Sequence, residues 1–291
     1  RSEGEEPKIL SNILPYSGYV TFRSDWSEKA FWCFFNAARF GFGHQHEDKL
    51  EVLIHAYGEY LLPEAGRAAY DGSELFNYSL LTPGHNTVTV DGLSQRCRDN
   101  HKWDPAVLTA KADVYFKSDD YFDCASGWYD EHYGKEDVAV RHFRRVIWIK
   151  NPEGTNPLVA VIDRMYNDDK NMHKYTAIWH FADGEYEFSD KSFRVKTKSG
   201  VGIKMIHTLE STAVYRADEQ HFQGFRCNEV PGVFWPLPTA ECEKNGGNTR
   251  FVTIFEPSPD GEYNIESVEA GDAVDDDKIL VSLKNGRTLR I

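Results

Sequence analysis

Turn-forming residues interrupt this chain too often for it to build long helices. Nearly every apolar run is short, β-branched or aromatic, and ends at Gly, Pro, Asn or Asp. Runs of that kind read as strands. They fall at 18–23, 30–36, 50–57, 86–91, 107–116, 121–128 and 138–150, then at 158–164, 175–181, 193–198, 201–209, 249–255 and 279–283. Phe193-Arg-Val-Lys-Thr-Lys198 alternates apolar or Thr with basic side chains, as a half-solvated strand does. One short helix is expected at Glu74–Leu81, just before Pro83. The 14% aromatic content suits strands and sugar-stacking surfaces better than a helical bundle. The expected fold is therefore all-β, a large stacked antiparallel sandwich spanning residues 1–291. Asn151-Pro-Glu-Gly-Thr-Asn-Pro157 is a soft sub-boundary that reads as a hairpin, and the loop Cys227–Trp235 is long enough to cover a cleft.

Charge and cysteine usage narrow the function. A formal charge of −13 argues against nucleic acid and anionic membrane, which both need a basic footprint. A locally basic cleft on an acidic protein still admits an acidic substrate. Five widely spaced cysteines with no CxxC pair read as mostly free thiols. No apolar run reaches membrane-spanning length, and the chain begins at Arg, so an N-terminal portion is expected to precede it.

The chemistry concentrates early. Gly43-His-Gln-His-Glu-Asp-Lys-Leu50, Pro63-Glu-Ala-Gly66 and Pro83-Gly-His-Asn-Thr-Val88 place three potential metal ligands, His46, Glu64 and His85, at neighbouring strand ends. Two imidazoles and a carboxylate form a normal three-ligand set for zinc, and other divalent metals are possible. If the segment is a strand, His44 and His46 share a face, one free to touch substrate. Asp48 reads as a brace for one of these histidines. A second choice takes His44, His46 and Glu51, whose spacing matches the first metal motif of the cupins, although their second motif does not follow in order.

An ordered set of segments resembles the C-terminal β-sandwich of the heparinase II/III-like polysaccharide lyases. It runs from Tyr19-Val-Thr-Phe-Arg-Ser-Asp-Trp26 through Gly43–Leu50, Ala56–Gly66, Tyr70-Asp-Gly-Ser73 and His85-Asn-Thr-Val-Thr-Val-Asp-Gly92. Val140–Ile149, Leu158–Arg164, Trp179-His-Phe181 and Phe251–Pro257 continue it. The resemblance implies a zinc held by His46, Glu64 and His85, with Glu64 standing where the family usually has Asp. It implies that His44 faces an acidic polysaccharide and helps neutralise a uronate carboxylate during β-elimination. It also implies a periplasmic or secreted bacterial setting, and a proton-transferring Tyr supplied by an N-terminal helical toroid that these 291 residues lack. A glycan-binding sandwich without catalysis of its own is the alternative from another class.

Weaker candidates lie elsewhere. Arg141, Arg144 and Arg145 can supply a positive wall for a polyanion, although a charge run on a strand is usually a solvated face. Trp26 and Tyr78 can stack on sugar or simply pack. His142, His173, His180 and His207 share no spacing and read as ordinary hydrogen-bonded histidines. Oligomeric state is open.

Overall fold

The computed structural model describes residues 4–150 and 154–291, so Asn151–Glu153 of the soft boundary lie outside the described residues. On either side of it, Val140–Ile149 and Leu158–Asn167 pair antiparallel, with Leu158 opposite Ile149. These two strands belong to an eight-stranded sheet ordered Glu185–Ser189, Ser192–Lys196, Gly202–His207, Thr249–Ser258, Leu158–Asn167, Val140–Ile149, Phe122–Tyr129, Val114–Ser118.

One face of this sheet meets a layer built from two smaller sheets. The five-stranded one runs Asn12–Leu14, Tyr19–Arg23, Trp32–Asn36, Val52–Ala56, Glu59–Leu62. The four-stranded one runs Ser211–Tyr215, Thr239–Gly246, His173–His180, Val88–Val90. Val20, Phe35, Ile54, Val88, Trp179, Val146, Val161 and Phe255 from all three sheets share one core. The opposite face carries a three-stranded sheet, Ile265–Ala270, Ile279–Leu283 and Thr288–Arg290, over a second core of Leu158, Ala160, Ile162, Val252 and Ile254. Burial on both faces is why Leu158–Ile162 is apolar without alternation. The fold is thus all-β and antiparallel with a small third layer on the sandwich. Ser192–Lys196 alternates as expected, with Phe193 and Val195 buried and Arg194 and Lys196 exposed.

Three local expectations are corrected. Residues 37–51 form no strand, so the rule that placed His44 and His46 on one strand face does not apply. Within 107–116 the chain first makes a 3-10 turn, Pro105–Thr109, whose N-terminus is capped by the Asp104 side chain accepting the Ala106 N–H at 2.9 Å. Pairing starts only at Val114. The segment Cys227–Trp235 is a hairpin, with Phe225–Cys227 paired to Phe234–Pro236. The helix is Glu74–Leu80, and the Ser73 hydroxyl accepts the Phe76 N–H at 3.2 Å. All five cysteines are free and buried.

Candidate metal and substrate site

Each of the three expected ligands lies outside the regular elements. After the helix Glu74–Leu80, Pro83 forces a 3-10 turn at Thr82–Gly84, and the chain leaves it extended at His85 (φ −128°, ψ 157°). Gly84 is required there because a Cβ would lie 2.5 Å from the Tyr78 carbonyl oxygen. Glu64 follows the strand Glu59–Leu62, and the Ala65 N–H donates to Gly84 O at 2.9 Å, which brings the two segments together. His46 sits in the loop between Asn36 and Glu51, closed by bonds from Leu50 N to Asn36 O and from Asn36 N to Glu51 O.

Buried polar side chains hold this loop to the rest. The Glu47 N–H donates to Leu80 O at 2.8 Å, and its carboxylate accepts the Cys97 N–H at 2.9 Å. Gln95 pairs with both sides of Lys49, donating to its carbonyl and accepting its N–H at 2.9 Å each. Asn86 donates to Val52 O and Pro63 O and accepts from the backbone and ring of His180. Arg144, fully buried, forks onto Asp163 and donates to Leu50 O at 2.8 Å and Asn86 O at 2.7 Å. One guanidinium therefore ties the end of the His46 loop to the residue after His85.

His46, Glu64 and His85 bring ligand atoms within 4.8 Å of one another, and Asp48, Glu51 and His85 form a second such group sharing His85. His85 Nδ1 lies 2.9 Å from Glu64 Oε2 and 3.4 Å from Glu51 Oε1, and its ring centroid is 5.3 Å from that of His46. Burial opposes a charged His85, but Glu51 and Glu64 outweigh it and raise its pKa well above the ordinary value. Burial, with the Glu64 charge adding, pushes Glu51 up to about 7 and Asp48 up to about 6 while His85 opposes both. Burial also acts on Glu64, yet its contact with His85 wins and lowers its pKa.

These residues fit a metal ion. Both ring nitrogens of His85 are buried and neither makes a well-directed hydrogen bond, close as the carboxylates are. Bond lengths of 2.0–2.1 Å at tetrahedral angles separate zinc ligands by roughly 3.3 Å, close to the spacings around His85. Three carboxylates lie against two imidazoles, and a divalent cation would offset the crowded charge that helps raise Glu51 and Asp48. Of the two groups, the imidazole-rich one fits a metal ion better, since Glu51 also accepts the Asn86 N–H at 3.2 Å.

The remaining candidates separate. His44 is exposed, with its Nδ1 3.5 Å from the Tyr70 hydroxyl, and belongs to neither ligand group. The cupin set of His44, His46 and Glu51 is therefore not assembled. Asp48 lies in the second ligand group rather than behind a single histidine. Arg141 and Arg145 point to the sheet face opposite Arg144, because strand residues alternate. Arg141 pairs with Asp168 at 2.7 Å and Arg145 lies over Phe143, so the three arginines form no wall at the site. Tyr78 is buried, its hydroxyl bonded to His180 and Gln223, and it packs rather than stacks on sugar. Trp26 carries the Arg23 guanidinium over one ring face at 4.4 Å and is otherwise exposed.

His142, His173 and His207 are ordinary buried partners of Asp163, of Asp91 and Asp169, and of Thr212. Burial and the charge of His85 push the pKa of His180 down to about 3. Sequence reasoning passed over Asn86 and Gln95, and it read Arg144 as part of a substrate wall rather than as the buried brace it is. Asn86 carried a signal, being next to His85; the other two are distant polar residues that only the fold brings in.

Comparison with known proteins bears on the family and the fold. A family model described as heparinase II/III-like, C-terminal, matches residues 7–233. A heparin-sulfate lyase of Pedobacter heparinus is 31% identical over 109 residues, which cover 35% of this chain and 16% of that protein. A solved heparinase III superposes with a TM-score of 0.76 at 18% identity, covering 100% of this chain and 42% of its own. The crystal structure of a heparan sulfate lyase from Pedobacter heparinus gives 0.73 at 20% identity, covering 100% and 43%. The chain thus spans less than half the length of these relatives, and the structural likeness speaks for the fold. With a family match over 7–233, the chain belongs to the heparinase II/III-like C-terminal domain family.

Proposed function

We propose that this chain is the β-domain of a polysaccharide lyase that cleaves uronate-containing glycans, of heparan sulfate or alginate type, by β-elimination. The observation that carries the reading is an exposed His44 beside the cluster of His46, Glu64 and His85, on the fold of known heparan sulfate lyases. Elimination needs the uronate carboxylate neutralised so that the C5 proton becomes acidic. His44 donates to that carboxylate, and the Tyr70 hydroxyl near its Nδ1 orients the ring. The base that removes the C5 proton is assigned to no residue of this chain. His46, Glu64 and His85 would hold zinc or another divalent cation, which would cross-link three segments and offset the carboxylates. A polymer too large to enter a cell unaided puts the reaction in the periplasm or outside.

Metal content of the purified chain, with Glu64→Ala and Glu51→Ala beside it, tests the site. About one zinc per chain is expected, lost in Glu64→Ala and kept in Glu51→Ala. A panel of uronate polymers is followed at ~232 nm, where the unsaturated product of elimination absorbs. Metal kept by Glu64→Ala refutes the ligand set. Product would show that the chain is catalytic by itself; because it spans under half of the solved lyases and is assigned no base, binding without product fits a lyase β-domain and a glycan-binding module alike.

A further inference from the structure

Around His44, two residues before the candidate ligand His46, the chain holds large aromatic side chains out in solvent. Tyr70 is 65% exposed and Trp103 53%. Their rings each lie 6.3 Å from the His44 imidazole, edge-on at 81° and 84°. Phe42 meets Trp103 edge to face at 5.3 Å, and the Arg67 guanidinium lies 5.9 Å from the Tyr70 ring.

This exposure is built in. The Trp103 N–H donates to Phe42 O at 3.0 Å, and a Cβ on Gly43 would come within 2.5 Å of the indole, so the ring packs directly on that backbone. His44 and Trp103 both adopt left-handed backbone conformations, φ 57° and 64°, which side chains with a Cβ rarely take. Strained residues in mutual contact mark functional sites more often than loops of no consequence. A core requirement would bury the indole; here the fold fixes it and leaves half of it in water.

We propose that Trp103 and Tyr70 form a sugar-stacking subsite flanking His44, taking the apolar faces of pyranose rings in a uronate-containing glycan. The inference rests on the lyase reading for its ligand. Stacking positions the ring while the edge-on contacts, with the Tyr70 hydroxyl at Nδ1, leave His44 Nε2 available to the carboxylate. Trp103 binds and orients; it transfers no proton.

The test is calorimetric binding of a size-defined heparan sulfate hexasaccharide, and of an alginate hexamer, to the chain and its Trp103→Phe, Trp103→Leu, Trp103→Ala and Tyr70→Ala variants. Thermal melts confirm that each variant is folded. Trp103→Ala and Trp103→Leu are expected to weaken binding about tenfold, with Trp103→Phe within about threefold of the parent. Leucine fills space but cannot stack, so the Phe and Leu pair decides even if the alanine variant fails to fold. Leucine binding as well as phenylalanine, or unchanged affinity in Trp103→Ala, overturns the subsite and leaves the lyase reading standing. If the parent chain binds neither oligosaccharide, the subsite falls together with that reading.

Discussion

Replacing Arg144 with methionine removes four hydrogen bonds at once while keeping an unbranched apolar stem. Arg144 and Asp163 are both fully buried, and two of the four bonds hold the backbone at Leu50 and Asn86. Burial pushes the Asp163 carboxyl up, but Arg144 and His142 together outweigh it and keep the pKa low. The variant therefore leaves a buried carboxylate short of its partner, which costs about 3–5 kcal/mol. His142, 2.6 Å from Asp163, can take up a proton and holds the loss near the lower bound. At about 2 °C per kcal/mol for a chain of this size, the melting temperature falls by roughly 6–10 °C. Urea and thermal melts read the loss, and metal content is expected to fall with it because the His46 loop loses its tie to Asn86. Removing both charges in Arg144→Met/Asp163→Leu is expected to recover part of the stability. A loss under about 1 kcal/mol in the single variant would refute the reasoning, since the desolvation cost of the guanidinium would then cancel its bonds.

Two further expectations test pH and packing. His207 is buried against Thr212, and burial pushes its pKa down to about 3, whereas the unfolded chain titrates near 6.5. The unfolded state therefore binds the proton first, and stability is lost as pH falls below about 6.5, by up to ~1.4 kcal/mol per unit. The stability advantage of the parent over His207→Leu should shrink by about 2 kcal/mol between pH 7.5 and 5.0 in urea melts; parallel pH profiles would sink the idea. Gly84→Ala drives a methyl into the Tyr78 carbonyl and within 3.3 Å of Ala65 Cβ, so about 1–3 kcal/mol of stability and some metal affinity should be lost as His85 shifts. A variant as stable as the parent, with equal metal content, would show that the turn has slack.

Much of the sheet structure was legible because local pattern and tertiary environment agree. Val140–Ile149, Leu158–Asn167 and Thr249–Ser258 are central strands of the large sheet, and their apolar runs leave no other choice. Peripheral strands such as Glu185–Ser189, every residue of which is exposed, carry no such pattern and escaped notice. Near the site, period-two reasoning failed at His44 and His46. The positive φ of His44 and of Leu50 shapes that segment as a loop, held by Gln95 and Glu47 rather than by a sheet ladder. Arginine spacing misled for a related reason. Arg144 and Arg145 are neighbours in sequence but face opposite layers, one sealed under the site and the other over Phe143.

The residue order alone determined that this chain makes antiparallel sheets, and that two imidazoles and a carboxylate lie beside turns where they can meet. Strand propensity and turn chemistry are local, so they survive being read one segment at a time. Tertiary structure alone decided which groups share a space. It put Glu51 and Glu64 on the same histidine, sent Tyr78 into the interior, and brought Arg144 from a distant strand to brace the site. It also held Trp103 in water beside His44. Contacts of this kind span tens of residues, and their energies depend on a burial that exists only once the layers have packed.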